Sequence, residues 1–226
     1  MAKLVWDKET DRYYETGISN LAIYPIDDGE YPTGYAWSGV TAVTESPSGA
    51  EASAVYADNI KYLNLVSEEE LGLTLEAIRY PEEFEECDGT AELVGGVKIG
   101  QQPRKAFGMA YKTKVGNSNG AEIGEILHVV WNCLAAPSEK AYSTVNESPE
   151  NMTFSWTLTT TKLKVEGWED TLKPISHLEV DSRYVDEDVW TALDTTLFGS
   201  TSEDATLPLP GELLDMIDEI LNPVVT

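Results

Sequence analysis

The sequence predicts a mainly β fold: a β-sandwich or barrel-like domain with one short flanking helix and helical segments near the C-terminal end. Apolar and polar residues alternate with a period of two over short runs from about residue 21 to residue 180, and Gly, Pro, Asn and Ser bound these runs. Helical patterns are few. With 226 residues, of which 42% are hydrophobic, the chain can bury one sizeable core.

Three consecutive segments follow from these patterns. We expect an N-terminal arm at 1–20, a β-sandwich domain at 21–185 and an acidic helical extension at 186–226. Within the domain, turn-forming Gly and Pro residues are spread over about 29–59, which predicts a long extended loop.

The clearest strand patterns lie at 71–77 and 107–113, where alternation gives each stretch two distinct faces. A turn-forming segment, 116–120, then leads into a second apolar run. Residues 105–134 are therefore predicted to form a β-hairpin.

Two later runs complete the predicted strands. Residues 126–131 are apolar on both faces, which predicts a central strand that is covered on both sides. Residues 152–158 alternate again, with Trp131 and Trp156 both expected in the core. The apolar phase then shifts across 159–161, which predicts a bulge or a change of register.

Two helices are predicted from their first turns and their ends. Pro81 and the glutamates after it favour a short helix that ends near Cys87, or a longer one that continues toward Leu93. A second helix begins near Asp186 and ends at Gly199, because apolar residues recur every four positions, at Val189, Leu193 and Leu197.

The chain after Gly199 is predicted to be a linker or extended arm as far as Pro210, followed by a helix with one apolar stripe. A stripe on a short exposed helix must be covered. It can fold back onto its own domain or dock on a neighbouring subunit, and the sequence leaves both open.

The charge balance restricts the possible partners. Forty acidic residues against 15 basic ones give a formal net charge of −25, which repels phosphate and disfavours direct nucleic-acid binding and adhesion to anionic membranes. A negative field would suit a conduit through which DNA slides, although solubility alone explains it equally well. Between 97 and 115 the charged residues are all basic, which would permit head-to-tail contacts or simply a solvated strand face.

The search for catalytic chemistry gives no candidate, so we expect no catalytic, cofactor-binding or metal-binding residues and no enzyme activity. His128 and His177 have no second histidine at helical ligand spacing, and Cys87 and Cys133 form no CxxC pair. Cys133 is expected in the core, with both thiols reduced. The carboxylates at 68–70 and 82–86 could in principle supply a glycosidase pair, but solvated charge explains them.

No signal peptide or transmembrane run is visible, so we expect a soluble protein made in a cytoplasm.

Four short segments resemble the major tail protein family of long-tailed bacteriophages (siphophages). These segments are TGISNL at 16–21, RYPEEF at 79–84, AFGMAY at 106–111 and ILHVVWN at 126–132. The likeness covers roughly residues 13–180 and rests on packing and turn patterns.

The resemblance implies a virion structural protein whose subunits form hexameric rings that stack into a tail tube for DNA ejection. It further implies a tape measure protein in the lumen and contacts with tail tip and tail terminator proteins, while DNA passes without specific binding. In this family the extended loop would reach between stacked rings, and the N-terminal arm and the acidic tail are further candidates for ring-to-ring contact.

Two other functions remain open from the sequence. A β-sandwich carbohydrate-binding or adhesion module could use the six tryptophans and eleven tyrosines to stack on sugars. Within the assembly class, the patterns do not separate a phage tail tube from the tubes of contractile injection machines.

Overall fold

The computed structural model describes residues 12–142 and 151–223, together with residues 4, 6, 8 and 144. The fold is mainly β, as predicted. The strands are β1 (Tyr13–Pro25), β2 (Tyr35–Ala36), β3 (Val40–Ser48), β4 (Ala52–Ala57), β5 (Ile60–Val66), β6 (Glu70–Ala77), β7 (Ala91–Val94), β8 (Val97–Ile99), β9 (Phe107–Asn117), β10 (Glu122–Ala135), β11 (Phe154–Thr160) and β12 (His177–Asp181). The helices are α1 (Glu85–Asp88), α2 (Glu187–Phe198) and α3 (Pro210–Leu221), and a 3₁₀ turn (Glu82–Phe84) leads into α1.

One large antiparallel sheet organises the domain. Its strands run in the order β2-β1-β9-β10-β11-β6-β3, and β12 also pairs with β10. The predicted hairpin at 105–134 is confirmed as β9 and β10. Strands β12 and β11 pair with successive halves of β10, at 126–130 and 133–135 respectively. Side chains of β11, β6 and β3 then pack against side chains of β9 and β10 in one apolar cluster.

The central strand β10 contributes to two separate apolar clusters, which confirms the predicted coverage on both sides. Val130 and Cys133 lie in an inner cluster with Trp156 and residues of β1, β6 and β9. Val129 and Trp131 lie in an outer cluster that α2 and α3 cover. Alternation along one strand thus supplies both cores.

Both predicted helices occur close to their expected limits. The 3₁₀ turn and α1 span 82–88, and Gly89 ends them with a left-handed φ of 77°. Helix α2 is capped by the Asp186 side chain, which accepts from the Asp188 N–H at 2.9 Å. Its buried residues are the three predicted, Val189, Leu193 and Leu197.

The C-terminal helix folds back onto its own domain, the first of the two alternatives. Leu213 of α3 is fully buried in the outer cluster. The predicted linker before it is also part of the body, because Leu207 is buried and its N–H donates to the Tyr31 carbonyl at 3.1 Å. A Cβ at Gly108 would overlap the Leu207 side chain, so glycine at that position allows the close approach.

Three predicted boundaries differ from the structure. Strand β1 begins at Tyr13, so the C-terminal part of the proposed arm 1–20 is paired with β9, while most of 1–11 lies outside the described residues. The proposed loop at 29–59 contains β2, β3 and β4. The shift predicted at 159–161 is the end of β11, where the Thr161 N–H donates to the Asn132 carbonyl at 3.2 Å.

Among the helices that the structure describes, none combines the length and apolarity that a membrane crossing requires.

Candidate functional site

A β-hairpin formed by β4 and β5, 52–66 and here called the long hairpin, stands apart from the large sheet. Within the part of the chain that the structure describes, its two strands pair only with each other, and every residue of β5 is exposed. The exposed residues nevertheless include large apolar side chains, among them Tyr62 at 67% and Leu65 at 59% of full exposure. These side chains therefore lack the cover that large apolar residues normally have. An isolated two-stranded hairpin is also only marginally stable in water.

The pairing register divides the long hairpin into two faces. Val55 lies opposite Leu63, and Ser53 lies opposite Leu65, which gives one face three large apolar side chains. On the other face the polar Asn64 lies opposite Ala54, and Val66, which is 63% exposed, lies opposite Ala52. Because cross-strand neighbours on one face lie close together, the first face is a continuous apolar strip.

A second projecting hairpin, 91–99 and here called the short hairpin, consists of β7 and β8 around a turn at Gly95 and Gly96. It also exposes apolar side chains, Leu93, Val94, Val97 and Ile99. An ion pair between Lys98 and Glu85 holds it beside α1.

The large sheet has two open edges that face each other. Within the described residues, β2 pairs with β1 only at Ala22 and Ile23, which leaves the preceding edge of β1 unpaired. Strand β3 pairs with β6 on one side. A groove of about 340 Å³ separates these edges and is lined by 15–18 and 41–43, together with Tyr111 and Thr113. Unpaired strand edges are sites at which another chain can add a strand.

The basic residues at 97–115 do not form a free positive patch. Each has a carboxylate partner in the same chain: Lys98 with Glu85, Arg104 with Asp88, Lys105 with Glu86, Lys112 with Glu125 and Asp194, and Lys114 with Glu122. These ion pairs favour a solvated strand face, and head-to-tail contacts through this segment stay a prediction.

The structure brings together two histidines that the sequence separates by 49 positions. Glu45 of β3, His128 of β10, and His177 and Glu179 of β12 form the histidine–glutamate cluster, in which one potential ligand atom per residue lies within 4.8 Å of all the others. His128 lies opposite Glu179 in the register of β10 and β12. Helical ligand spacing could not reveal this cluster, because strand pairing creates it.

The nitrogens of the cluster face carboxylates at distances too long for good hydrogen bonds. His128 Nδ1 lies 3.8 Å from Glu45 Oε1 and 3.6 Å from Glu179 Oε1. His177 Nε2 lies 3.8 Å and 3.9 Å from the same two oxygens. Neither nitrogen has a hydrogen-bond partner among the residues that the structure describes.

The surroundings of the cluster are partly apolar and ordered by stacking. The ring of His128 stacks on Tyr111 at 4.6 Å and lies parallel to His177 at 5.8 Å. Burial lowers the pKa of His177, although Glu45 and Glu179 act in the opposite direction. Burial and the hydrogen bond to Glu45 raise the pKa of Tyr111, so this phenol remains a donor.

The other residues considered for chemistry have structural surroundings. Cys87 and Cys133 are free and buried, and burial raises the pKa of Cys87 to about 12, which leaves it protonated and unreactive. Cys133 lies in the inner core, as predicted. Residues 68–70 lie on an exposed connection and at the start of β6.

Comparison with protein families and with curated proteins gives no match. Among solved structures, a chain of the anti-feeding prophage (AFP) baseplate matches 80% of this chain and 97% of its own length, with 8% identity and a TM-score of 0.39. A chain of the PVC sheath–tube complex, an extracellular contractile injection system, matches 71% and 88%, with 13% identity and a TM-score of 0.30.

Hcp1 from Flavobacterium johnsoniae matches 70% of this chain and 99% of its own, with 11% identity and a TM-score of 0.29. Identities and TM-scores are low in all three comparisons.

Proposed function

We propose that this protein is a structural subunit of a phage-type tail tube and that the long hairpin is a principal contact between subunits. The apolar face of the long hairpin carries the proposal, because Val55, Leu63 and Leu65 are exposed on a hairpin that lacks cover from its own sheet. A neighbouring copy that covered this face would remove apolar surface from water and fix the hairpin.

The open edges of β1 and β3 are consistent with the same role. A neighbouring chain could add a strand at either edge, and repetition of one such contact around an axis generates a closed ring. In the specific form that we propose, six subunits form each ring, the rings stack into a tube, and the protein comes from a siphophage.

The charge of the molecule fits a conduit for DNA. With a net charge of −25 and with the basic residues at 97–115 paired internally, the surface repels the phosphate backbone. In the proposed tube, DNA passes through the lumen without specific binding. A tape measure protein occupies the lumen before ejection, and tail tip and terminator proteins close the two ends.

We propose no enzymatic activity for this chain and place it in the virion after synthesis in the host cytoplasm. The carbohydrate-binding alternative cannot use Trp37, Trp131 and Trp156, which are buried, although Trp6 and Tyr184 are exposed.

A matched pair of substitutions tests the long hairpin. Leu63→Lys places a charge on the apolar face, whereas Asn64→Lys places the same charge on the opposite face of the same strand. We expect wild-type protein and Asn64→Lys to form rings or tubes in negative-stain electron microscopy and light scattering, and Leu63→Lys to remain monomeric.

Circular dichroism should show that both variants retain the β fold. Assembly of Leu63→Lys at the wild-type concentration would overturn the role of the hairpin. A wild-type protein that stays monomeric at every concentration, even with the tail tip added as a nucleus, would overturn the tube function.

A further inference from the structure

We propose that Glu45, His128, His177 and Glu179 form a binding site for a divalent transition-metal ion, for which zinc is the best match. This inference concerns the subunit alone and does not depend on tube assembly. Three observations support it: the chemical types of the donor atoms, the distances between them and the hydrogen bonds that determine which nitrogen of His128 carries a proton.

The donor set suits zinc better than calcium or magnesium. Two imidazole nitrogens and two carboxylate oxygens offer four ligands, the number that zinc takes in tetrahedral protein sites. Calcium and magnesium instead prefer sites made of oxygen atoms. The donor atoms of the cluster therefore favour a transition-metal ion such as zinc over calcium or magnesium.

The spacing requires only a small contraction. Ligands placed about 2.0–2.2 Å from a tetrahedral ion lie roughly 3.3–3.6 Å from one another. The four nitrogen–oxygen distances in the cluster are 3.6–3.9 Å. The other two donor pairs lie within 4.8 Å, so movements of up to about 1 Å along the flexible glutamate side chains would bring all four donors to bonding distance.

Hydrogen bonding determines which nitrogen of His128 can bind the ion. The Thr113 hydroxyl donates its proton to Glu15, and its oxygen lies 3.1 Å from His128 Nε2. That oxygen can then only accept, so in the neutral imidazole, the form that binds metals, Nε2 carries the proton and Nδ1 presents a lone pair.

This arrangement leaves a lone pair facing two carboxylates inside the protein. His128 is only 6% exposed, and its Nδ1 has no hydrogen-bond partner in the described chain. A lone pair directed at the oxygens of Glu45 and Glu179 is electrostatically unfavourable unless a proton on Nδ1 or a metal cation lies between them. A metal ion would satisfy all of these groups at once.

The residues around the cluster would hold the ligands in position. The Tyr111 hydroxyl donates to Glu45 Oε1 at 2.8 Å, and Thr113 orients His128 from the opposite side of its ring. Such outer hydrogen bonds typically change metal affinity by about 10–100-fold.

Cobalt(II) is a suitable probe, because its visible absorption reports four-coordinate binding. We expect chelator-treated wild-type protein to take up one equivalent of Co²⁺ with a strong visible band that Zn²⁺ abolishes. His177→Gln and Glu179→Gln should each weaken binding at least about tenfold, and Tyr111→Phe by about tenfold. Glu76→Gln, the same change at an exposed strand position, should bind like wild type.

Circular dichroism and thermal unfolding of each variant establish that it is folded. If the folded wild-type protein shows no cobalt band, the proposal is overturned, whatever the variants show. Folded His177→Gln and Glu179→Gln proteins that titrate like wild type would also overturn it, because exposed carboxylates would then bind the metal.

Discussion

Asp88 is a buried carboxylate that connects α1 with three other parts of the chain. Only 7% of the residue is exposed. Its oxygens accept from Trp156 Nε1 at 3.0 Å and Lys140 Nζ at 2.6 Å, and Arg104 lies at 3.5 Å. Two cations and an indole N–H therefore converge on one side chain, which holds the short flanking helix against the inner core, although Arg104 also donates to the Ala135 carbonyl at 3.1 Å.

Replacement of Asp88 by alanine should lower the free energy of unfolding by about 2–3 kcal/mol, because the indole N–H and two cations lose their common acceptor. Urea denaturation measures the change. Glu86→Ala is the matched control, since Glu86 is exposed and pairs with Lys105 at 3.3 Å. We expect the control to cost less than about 0.5 kcal/mol. Equal effects would mean that Asp88 has no special structural role.

Tyr31 should make the protein sensitive to alkaline pH. Burial raises the pKa of Tyr31 to about 12, above the ordinary value of about 10 for an unfolded chain. A raised pKa in the folded state contributes stability that is complete below about pH 10 and is lost as the pH rises toward 12. Denaturation at about pH 8 and about pH 11 should therefore show a fall in stability.

Tyr31→Phe separates this effect from other alkaline changes. The variant should lose about 1 kcal/mol at pH 8, because the Tyr31 hydroxyl accepts from the Asn132 N–H at 3.2 Å. Its decline between the two pH values should be smaller than that of wild type. An identical decline would show that the tyrosine does not contribute to the alkaline loss.

Helix α3 covers the outer core and should contribute measurably to stability. Leu213→Ala removes a fully buried side chain, which should cost about 2–4 kcal/mol through lost burial and the cavity it leaves. Leu221→Ala, the same change on the same helix, removes a side chain that is 52% exposed and should cost less than about 1 kcal/mol. Similar values from thermal or urea unfolding would mean that α3 does not pack on the sheet in solution.

The sequence predicted elements well where local signals and burial agree. Helix α2 has a capping aspartate, a buried residue every four positions and a terminal glycine, and all of these were readable. Strand β3 was missed because it lies at a sheet edge, where Pro47 is tolerated and few side chains are buried. Its alternation was too weak to distinguish it from a loop.

The long hairpin and the histidine–glutamate cluster were missed for different reasons. The hairpin did carry a local signal, since Asp58 and Asn59 form a two-residue turn with φ values of 51° and 62° between apolar runs. The cluster carried none. Its four residues meet only through the pairing of β10 with β12 and the approach of β3, which no spacing rule describes.

For the whole molecule, the large net charge should oppose assembly at low ionic strength. Raising NaCl from about 0.1 M to about 1 M shortens the Debye length from about 10 Å to about 3 Å, which screens repulsion between subunits of charge −25. Apolar contacts are not weakened by this screening. Light scattering should therefore show more assembly at high salt, whereas weaker assembly would indicate contacts between opposite charges.

The order of elements along the chain determines the order in which the two apolar clusters can form during synthesis. Every strand of the large sheet precedes α2 and α3, so a growing chain can form the inner core while Val129 and Trp131 still face solvent. At about 5–20 residues per second, the ribosome needs roughly 2–7 s to add the two helices. During that interval one apolar face of the sheet is open to chaperones or to mispairing, and it closes only when the helices emerge and dock.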